Sequence, residues 1–190
     1  MNRTKSQIIE AAAHTFDRYG FKKTTMDDIA IAAGKGKSSL YYYFKNKEAV
    51  FEAVAAHEAA LMEKAIKGEL AKQNKAVDKL RCYINVRMKR FAAKGPLYTA
   101  LNDNFLATFS FIEKIRNNYR HWEIDTISAI LEEGLSQKEF KPLDSYFTGE
   151  AILTCMVGFE VPLMMRENTP QTTERKINEL IDMFFYGICD

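Results

Sequence analysis

Residues Thr24 to Lys47 constrain this chain more than any other stretch. They spell two short helices around a glycine turn. Thr25 is a good N-cap, and Asp27 and Asp28 fall in the first turn, where acids suit the helix dipole. Ile29, Ala32 and Ala33 follow at i, i+3, i+4, a buried stripe. Gly34 then stops the helix, because the left-handed conformation of a C-terminal cap costs glycine least. A second helix is predicted from about Lys37 to Phe44, with Leu40 and Phe44 facing inward at i, i+4.

The outward face of that second helix offers Lys35, Lys37, Ser38, Ser39, Tyr42 and Tyr43, and no acid stands between Asp28 and Glu48. Long cations neutralise phosphates, small residues let the backbone come close, and hydroxyls bond phosphates or base edges. Helix, tight turn, helix is the layout that lays its second helix in a major groove. The stretch resembles the DNA-binding domain of the TetR family of bacterial transcriptional repressors. The resemblance is carried by Thr24-Thr25, Asp28-Ile29-Ala30, Ala32-Ala33-Gly34, Lys37, Leu40-Tyr41-Tyr42-Tyr43-Phe44 and Lys47-Glu48, within Ile8 to Phe51. It implies DNA contacts from Thr25, Lys35, Gly36, Lys37, Ser38, Ser39, Tyr41, Tyr42, Tyr43 and Lys47, with Lys47 at a phosphate-contacting position. Two positions depart from the family pattern: Lys35 stands where an apolar residue is common, and Gly36 where serine is common.

Charge is distributed to match. The 190-residue chain carries a formal net charge of only +2, yet residues 1–47 hold nine cations against four acids, so the excess is concentrated there. A basic head on a mildly acidic body suits one part that meets DNA and another that does not. The expected domains are therefore 1–47, the DNA-binding helix-turn-helix domain, and 48–190, a helical effector-binding and dimerisation domain. No apolar run approaches the roughly 20 residues of a membrane span, and Met1–Gln7 has no hydrophobic signal core behind it. A cytoplasmic protein with no membrane association is expected. Cys82, Cys155 and Cys189 are far apart and odd in number, which suits buried thiols better than disulfides or zinc. No phosphate-binding GxxxxGK[ST] and no GxSxG occurs, and no histidine follows a glutamate by three residues. Nothing positive supports an enzyme, a metal or a cofactor.

Periodicity makes the rest helical. The first helix is expected from about Thr4 to Tyr19, ended by Gly20, with Ile8, Ala12, Phe16 and Tyr19 on one face. Asn46 caps a long connector reaching toward Ala71. Val77, Leu80, Ile84, Met88 and Phe91 mark the next helix, Leu97 to Phe109 another, and Ile112 to Ile130 a third ending at Gly134, with Lys138 standing where the resembling family often has glycine. Residues 151–165 are apolar nearly all round. The final helix carries Ile177, Leu180, Ile181, Phe184, Phe185 and Ile188 as one wide stripe. That is more apolar surface than a monomer of this size needs, so Leu180, Ile181, Phe184 and Phe185 are expected in a two-fold homodimer interface, which is also how the resembling family pairs its last helices.

The resemblance further implies palindromic operator DNA as partner and a small, often hydrophobic effector held in the body. The aromatics Phe91, Phe105, Phe109, Trp122 and Phe159 fit either a plain core or that pocket. Arg87, on a buried stripe, either packs its stem and snorkels to water or faces an anionic end of the effector. The expected function is a dimeric DNA-binding repressor released by a small apolar molecule. The alternatives are a constitutive regulator with no effector, or a helical ligand-binding or scaffold protein without DNA binding.

Overall fold

The computed structural model describes residues 3–93, 110–164 and 169–188. Among these residues there are eight α-helices and no strand: α1 (Arg3–Lys23), α2 (Met26–Ala32), α3 (Lys37–Tyr43), α4 (Lys47–Leu70), α5 (Ala76–Ala93), α6 (Ser110–Ser136), α7 (Ser145–Met164) and α8 (Pro170–Ile188). This is the all-helical architecture that the periodicity predicts. The helix expected over Leu97–Phe109 lies outside the described residues, and Phe105 and Phe109 with it. Among the described residues no helix is long and apolar enough to cross a membrane.

The chain separates into two compact units. The first, here the head, takes the residues up to Leu61 with the first turns of α6; the second, the body, takes Met62–Ala93 and the chain from Asn118 onward. In the head, Gly20 (φ 74°, ψ 163°) interrupts α1 at the residue where the sequence predicts a stop. The head core is apolar: Ile8, Phe16 and Phe21 from α1, Ile29 from α2, Leu40 and Phe44 from α3 and its cap, and Val50, Phe51 and Val54 from α4. Three rings form its centre, with centroids 5.8 Å apart for Phe16–Phe21, 5.3 Å for Phe16–Phe51 and 5.1 Å for Phe21–Phe51. Each such buried side chain contributes about 1.5–3 kcal/mol. That burial stabilises helices α2 and α3, which at seven residues each are too short to persist alone.

The body core draws Leu80, Tyr83, Ile84 and Met88 from α5, Ile124, Ile127 and Leu131 from α6, Ile152, Leu153 and Met156 from α7, and Ile177, Leu180 and Ile181 from α8. The third body helix does not end at Gly134, as its glycine suggests, but continues to Ser136. Gly134 is there for packing: a Cβ on it would lie 2.1 Å from the Phe140 ring. The stop is made four residues later by Lys138, at φ 59°. The Lys138 N–H donates to the Leu135 carbonyl at 3.2 Å and the Glu139 N–H to the Gly134 carbonyl at 2.8 Å, which closes a Schellman turn. Glu139 then accepts from the Val77 N–H at 3.0 Å, satisfying one orphan donor of α5.

Candidate nucleic-acid interface and the buried charge cluster

Thr25 opens α2 with a reciprocal cap. Its hydroxyl accepts from the Asp28 N–H at 3.2 Å, and the Asp28 carboxylate accepts from the Thr25 N–H at 2.9 Å. The Thr25 hydroxyl also donates to the Asp28 carboxylate at 2.6 Å, and that bond first, with the Thr25 N–H after it, holds the Asp28 carboxyl below its ordinary range. At the other end the Gly34 N–H donates to the Ile31 carbonyl at 3.0 Å and the Lys35 N–H to the Ala30 carbonyl at 2.9 Å, with Gly34 at φ 61°. Gly36 is the N-cap of α3 in extended backbone and offers no side-chain bond there. The turn is therefore fixed by backbone geometry at its start and by apolar burial of Leu40 and Phe44 at its end.

That anchoring leaves one face of α3 to solvent. Lys37 and Ser38 are exposed and Ser39 and Tyr43 half-buried; Tyr41 is 52% exposed and Tyr42 82%. The Tyr42 and Tyr43 rings meet edge to face at 5.0 Å. Lys37 reaches back to Asp27 at 2.5 Å, and this bond raises its pKa. The pair is exposed on both sides, so it steadies the turn weakly and leaves the cation available to a phosphate. Thr25 and Gly36 are exposed and Lys35 half-buried at the same turn. Except for Lys47, each of the residues expected at DNA lies on this turn and helix or caps the helix before it.

Lys47 has a role that sequence reasoning missed. Its ammonium donates to the carbonyls of Phe21 at 2.8 Å and Thr24 at 2.9 Å and lies 4.4 Å from the Phe21 ring centroid. It ties the turn between α1 and α2 to the first turn of α4. The carbonyls it donates to follow Gly20, and a helix end with spare carbonyls next to a lysine was the available signal.

In the body, Arg87 does not snorkel to water, which corrects that sequence expectation. It is 2% exposed, and its guanidinium meets Glu123 through Nε at 2.5 Å and through Nη2 at 3.3 Å. Nη2 also lies 2.7 Å from Glu160 Oε1. The Tyr83 hydroxyl donates to Glu123 at 2.9 Å, and the Phe91 ring lies under the guanidinium at 5.0 Å. Burial opposes the charged guanidinium, but Glu123 and Glu160 outweigh it and hold Arg87 firmly protonated. Burial, with Glu123 adding to it, pushes the Tyr83 hydroxyl well up. Glu123 carried no flag in the sequence, although it sits one turn before Ile127 on the buried stripe of α6. Of the expected pocket residues, Arg87 and Phe91 are in this cluster, Trp122 is half-buried and stacks on Tyr119 at 5.6 Å, and Phe159 is half-buried next to Glu160 in the chain.

The terminal helices also redistribute the expected roles. Leu180, Ile181 and Phe185 are buried within their own chain, and Phe184 is half-buried. What α7 and α8 leave outside is a different apolar set: Phe147, Ala151, Cys155, Val157 and Gly158 on α7, Met183, Tyr186 and Gly187 on α8. Cys155 is thus exposed and Cys82 half-buried, not the buried thiols the sequence suggests.

Residues 8–54 match the model of the N-terminal domain of bacterial regulatory proteins of the tetR family, and residues 105–181 match a tetracyclin repressor-like C-terminal domain. The uncharacterized transcriptional regulator YhgD of Bacillus subtilis is 46% identical over 50 residues, about a quarter of either protein. Over the whole chain, a transcriptional regulator from Cytophaga hutchinsonii superposes with a TM-score of 0.80 at 27% identity, covering 96% of this chain and 97% of that one. The fold is also that of FadR from Bacillus subtilis in complex with stearoyl-CoA (TM-score 0.82, 20% identity, 96% and 98% covered). A regulator from Saccharomonospora viridis in complex with choline shares it too (TM-score 0.85, 15% identity, both chains covered in full). With a capped helix-turn-helix head and a helical body that match the two halves of one family, the chain belongs to the TetR family of bacterial regulatory proteins.

Proposed function

We propose that this chain is a DNA-binding transcriptional repressor that grips a palindromic operator as a homodimer and releases it when a small molecule enters the body. The observation that carries the reading is the outward face of α3, where Lys37, Ser38, Tyr41 and Tyr42 stand clear of a buried Leu40–Phe44 anchor. Residues 1–47 form the DNA-contacting part, with phosphates taken by Lys35 and Lys37 and base edges by Ser38, Ser39, Tyr41, Tyr42 and Tyr43. Residues 48–190 form the effector-binding and dimerisation part.

The apolar set left outside by α7 and α8 supports the dimer. Tyr186 is 87% exposed and Phe147 67%, and exposed apolar side chains on two helices that pack together are the kind of surface that a two-fold axis buries. Phe184 is half-buried. The effector reading is supported by proteins of the same fold that hold ligands, one an acyl-CoA and another choline.

The test is fluorescence anisotropy with DNA from upstream of the chain's own gene and of its neighbours. A dimer neutralising several phosphates should bind one palindrome and lose about a thousandfold in affinity between roughly 50 and 200 mM salt. Lys37→Ala should lower both the affinity and the salt slope. Binding that is equal on all sequences, or that ignores salt, rules the reading out.

A further inference from the structure

Cations alone do not choose an operator, since DNA of every sequence carries the same phosphates. Resting on the operator-binding reading above, we infer that Asp27 is a specificity-determining residue of the head: it holds Lys37 of the recognition helix and favours DNA that offers a new partner to both members of the pair.

The sequence sets up the arrangement. Helix α3 runs Lys37-Ser38-Ser39-Leu40-Tyr41-Tyr42-Tyr43, so Lys37 is its only charged side chain. Two acids, Asp27 and Asp28, stand in the first turn of α2. The cap uses just one of them, because the Thr25 hydroxyl and N–H both donate to Asp28. Asp27 has no part in that cap and instead crosses the turn, with its Oδ2 2.5 Å from the Lys37 ammonium. Other cations of the head are held by groups that bring no negative charge. Lys47 donates to two carbonyls, and Lys5 lies over the Phe44 ring at 5.5 Å.

The consequence for DNA is electrostatic. While Lys37 rests on Asp27, the pair presents no net charge to a phosphate. Both side chains are exposed, so the pair opens easily. Opening it, however, leaves a carboxylate beside the DNA that has taken the lysine. In a major groove that carboxylate is satisfied by an exocyclic amino group, above all that of cytosine. DNA that offers a phosphate to Lys37 but no amino group to Asp27 gains one attraction and suffers one repulsion. An operator that offers both gains twice. A repulsive element of this kind weakens wrong partners more than the right one, which is what specificity requires.

The experiment measures fluorescence anisotropy of the full-length protein on the palindrome found upstream and on a scrambled duplex of the same composition, between roughly 50 and 200 mM salt. Asp27→Asn keeps an acceptor oxygen and removes the charge. Scrambled DNA should then bind about tenfold tighter, the pair counting once in each head, while the palindrome gains about threefold at most. The salt slope on scrambled DNA should steepen by roughly two, one freed lysine per head. In a Lys37→Gln background the same substitution should leave that slope unchanged, since no lysine is freed. Asp27→Glu, which keeps the charge, should retain the parent's discrimination. Circular dichroism melts confirm that each variant is folded. Scrambled DNA bound no tighter, an equal gain on both duplexes, or a slope that steepens without Lys37 overturns the inference. A parent protein that does not prefer the palindrome refutes the operator reading instead.

Discussion

The head and the body treat charge in opposite ways. In the head the core cluster is apolar, with Thr15, Thr24 and Glu58 the buried polar side chains of that unit among the described residues, and the Lys37–Asp27 pair lies in water with side chains 68% and 49% exposed. In the body the core encloses Arg87, Glu123 and Glu160 together with the Tyr83 hydroxyl. A surface pair costs little to form and little to lose. A buried cluster is expensive to desolvate, and replacing it with well-packed apolar residues is often neutral or stabilising. The head thus holds its shape by the least costly means, while the body keeps a group of charges that stability alone does not require.

The contrast can be broken first at its strongest point. Glu123→Leu removes the principal partner of Arg87 and the acceptor of the Tyr83 hydroxyl, and should cost about 3–5 kcal/mol of body stability, read by denaturant melts. Adding Arg87→Met and Glu160→Leu to it, so that no charge of the cluster is left buried without its partner, should recover much of that loss. If the single variant is as stable as the parent, the cluster is not the coupled unit described here. In the same body, Gly134→Ala drives a Cβ into the Phe140 ring and should cost about 1–3 kcal/mol, relieved by Phe140→Leu. The head should respond more mildly: Thr25→Ala deletes the side chain that caps α2 and should cost about 1 kcal/mol. The smallest effect sharpens the comparison between two helix ends of one design. Gly34 and Lys138 occupy the same left-handed position of a Schellman turn, at φ 61° and 59°. Lys138→Gly should stabilise the body by about 1 kcal/mol and Gly34→Ala destabilise the head by a similar amount.

Those two turns also show what the sequence makes legible. In the head, each structural decision is local. Thr25, Asp28, Gly34 and the Leu40–Phe44 spacing lie within one stretch, and the chemistry of each residue says what it does to its own backbone. The exposed face of α3 follows, since the anchor residues fix which side is left. In the body the decisive relations are distant in sequence. Arg87 finds Glu123 after 36 residues, and no periodicity says that a carboxylate from α6 and another from α7 will close on one guanidinium. Gly134 misled for a related reason: a glycine near a helix end reads as a stop, but here it makes room for a ring six positions on, and the stop falls on a lysine whose composition gives no hint of positive φ. The final stripe was legible as apolar but not as to its partner. Leu180, Ile181 and Phe185 are buried within their own chain, and exposed positions of the same helix are held by residues such as Met183 and Tyr186.

The Lys47 tether has a chemical consequence. An amine acylates only through its lone pair, which requires an ammonium free to shed a proton into water and rotate toward the reagent. Lys47 instead points its N–H groups at two carbonyls and lies against the Phe21 ring, while Lys22, Lys23, Lys37 and Lys45 are exposed. Treated sparingly with an acylating reagent, the head should therefore acquire its labels on the exposed lysines first and on Lys47 last. The moment at which Lys47 begins to label then marks the loosening of the α1–α2 turn from α4, so a single side chain serves as a clock for the opening of the head.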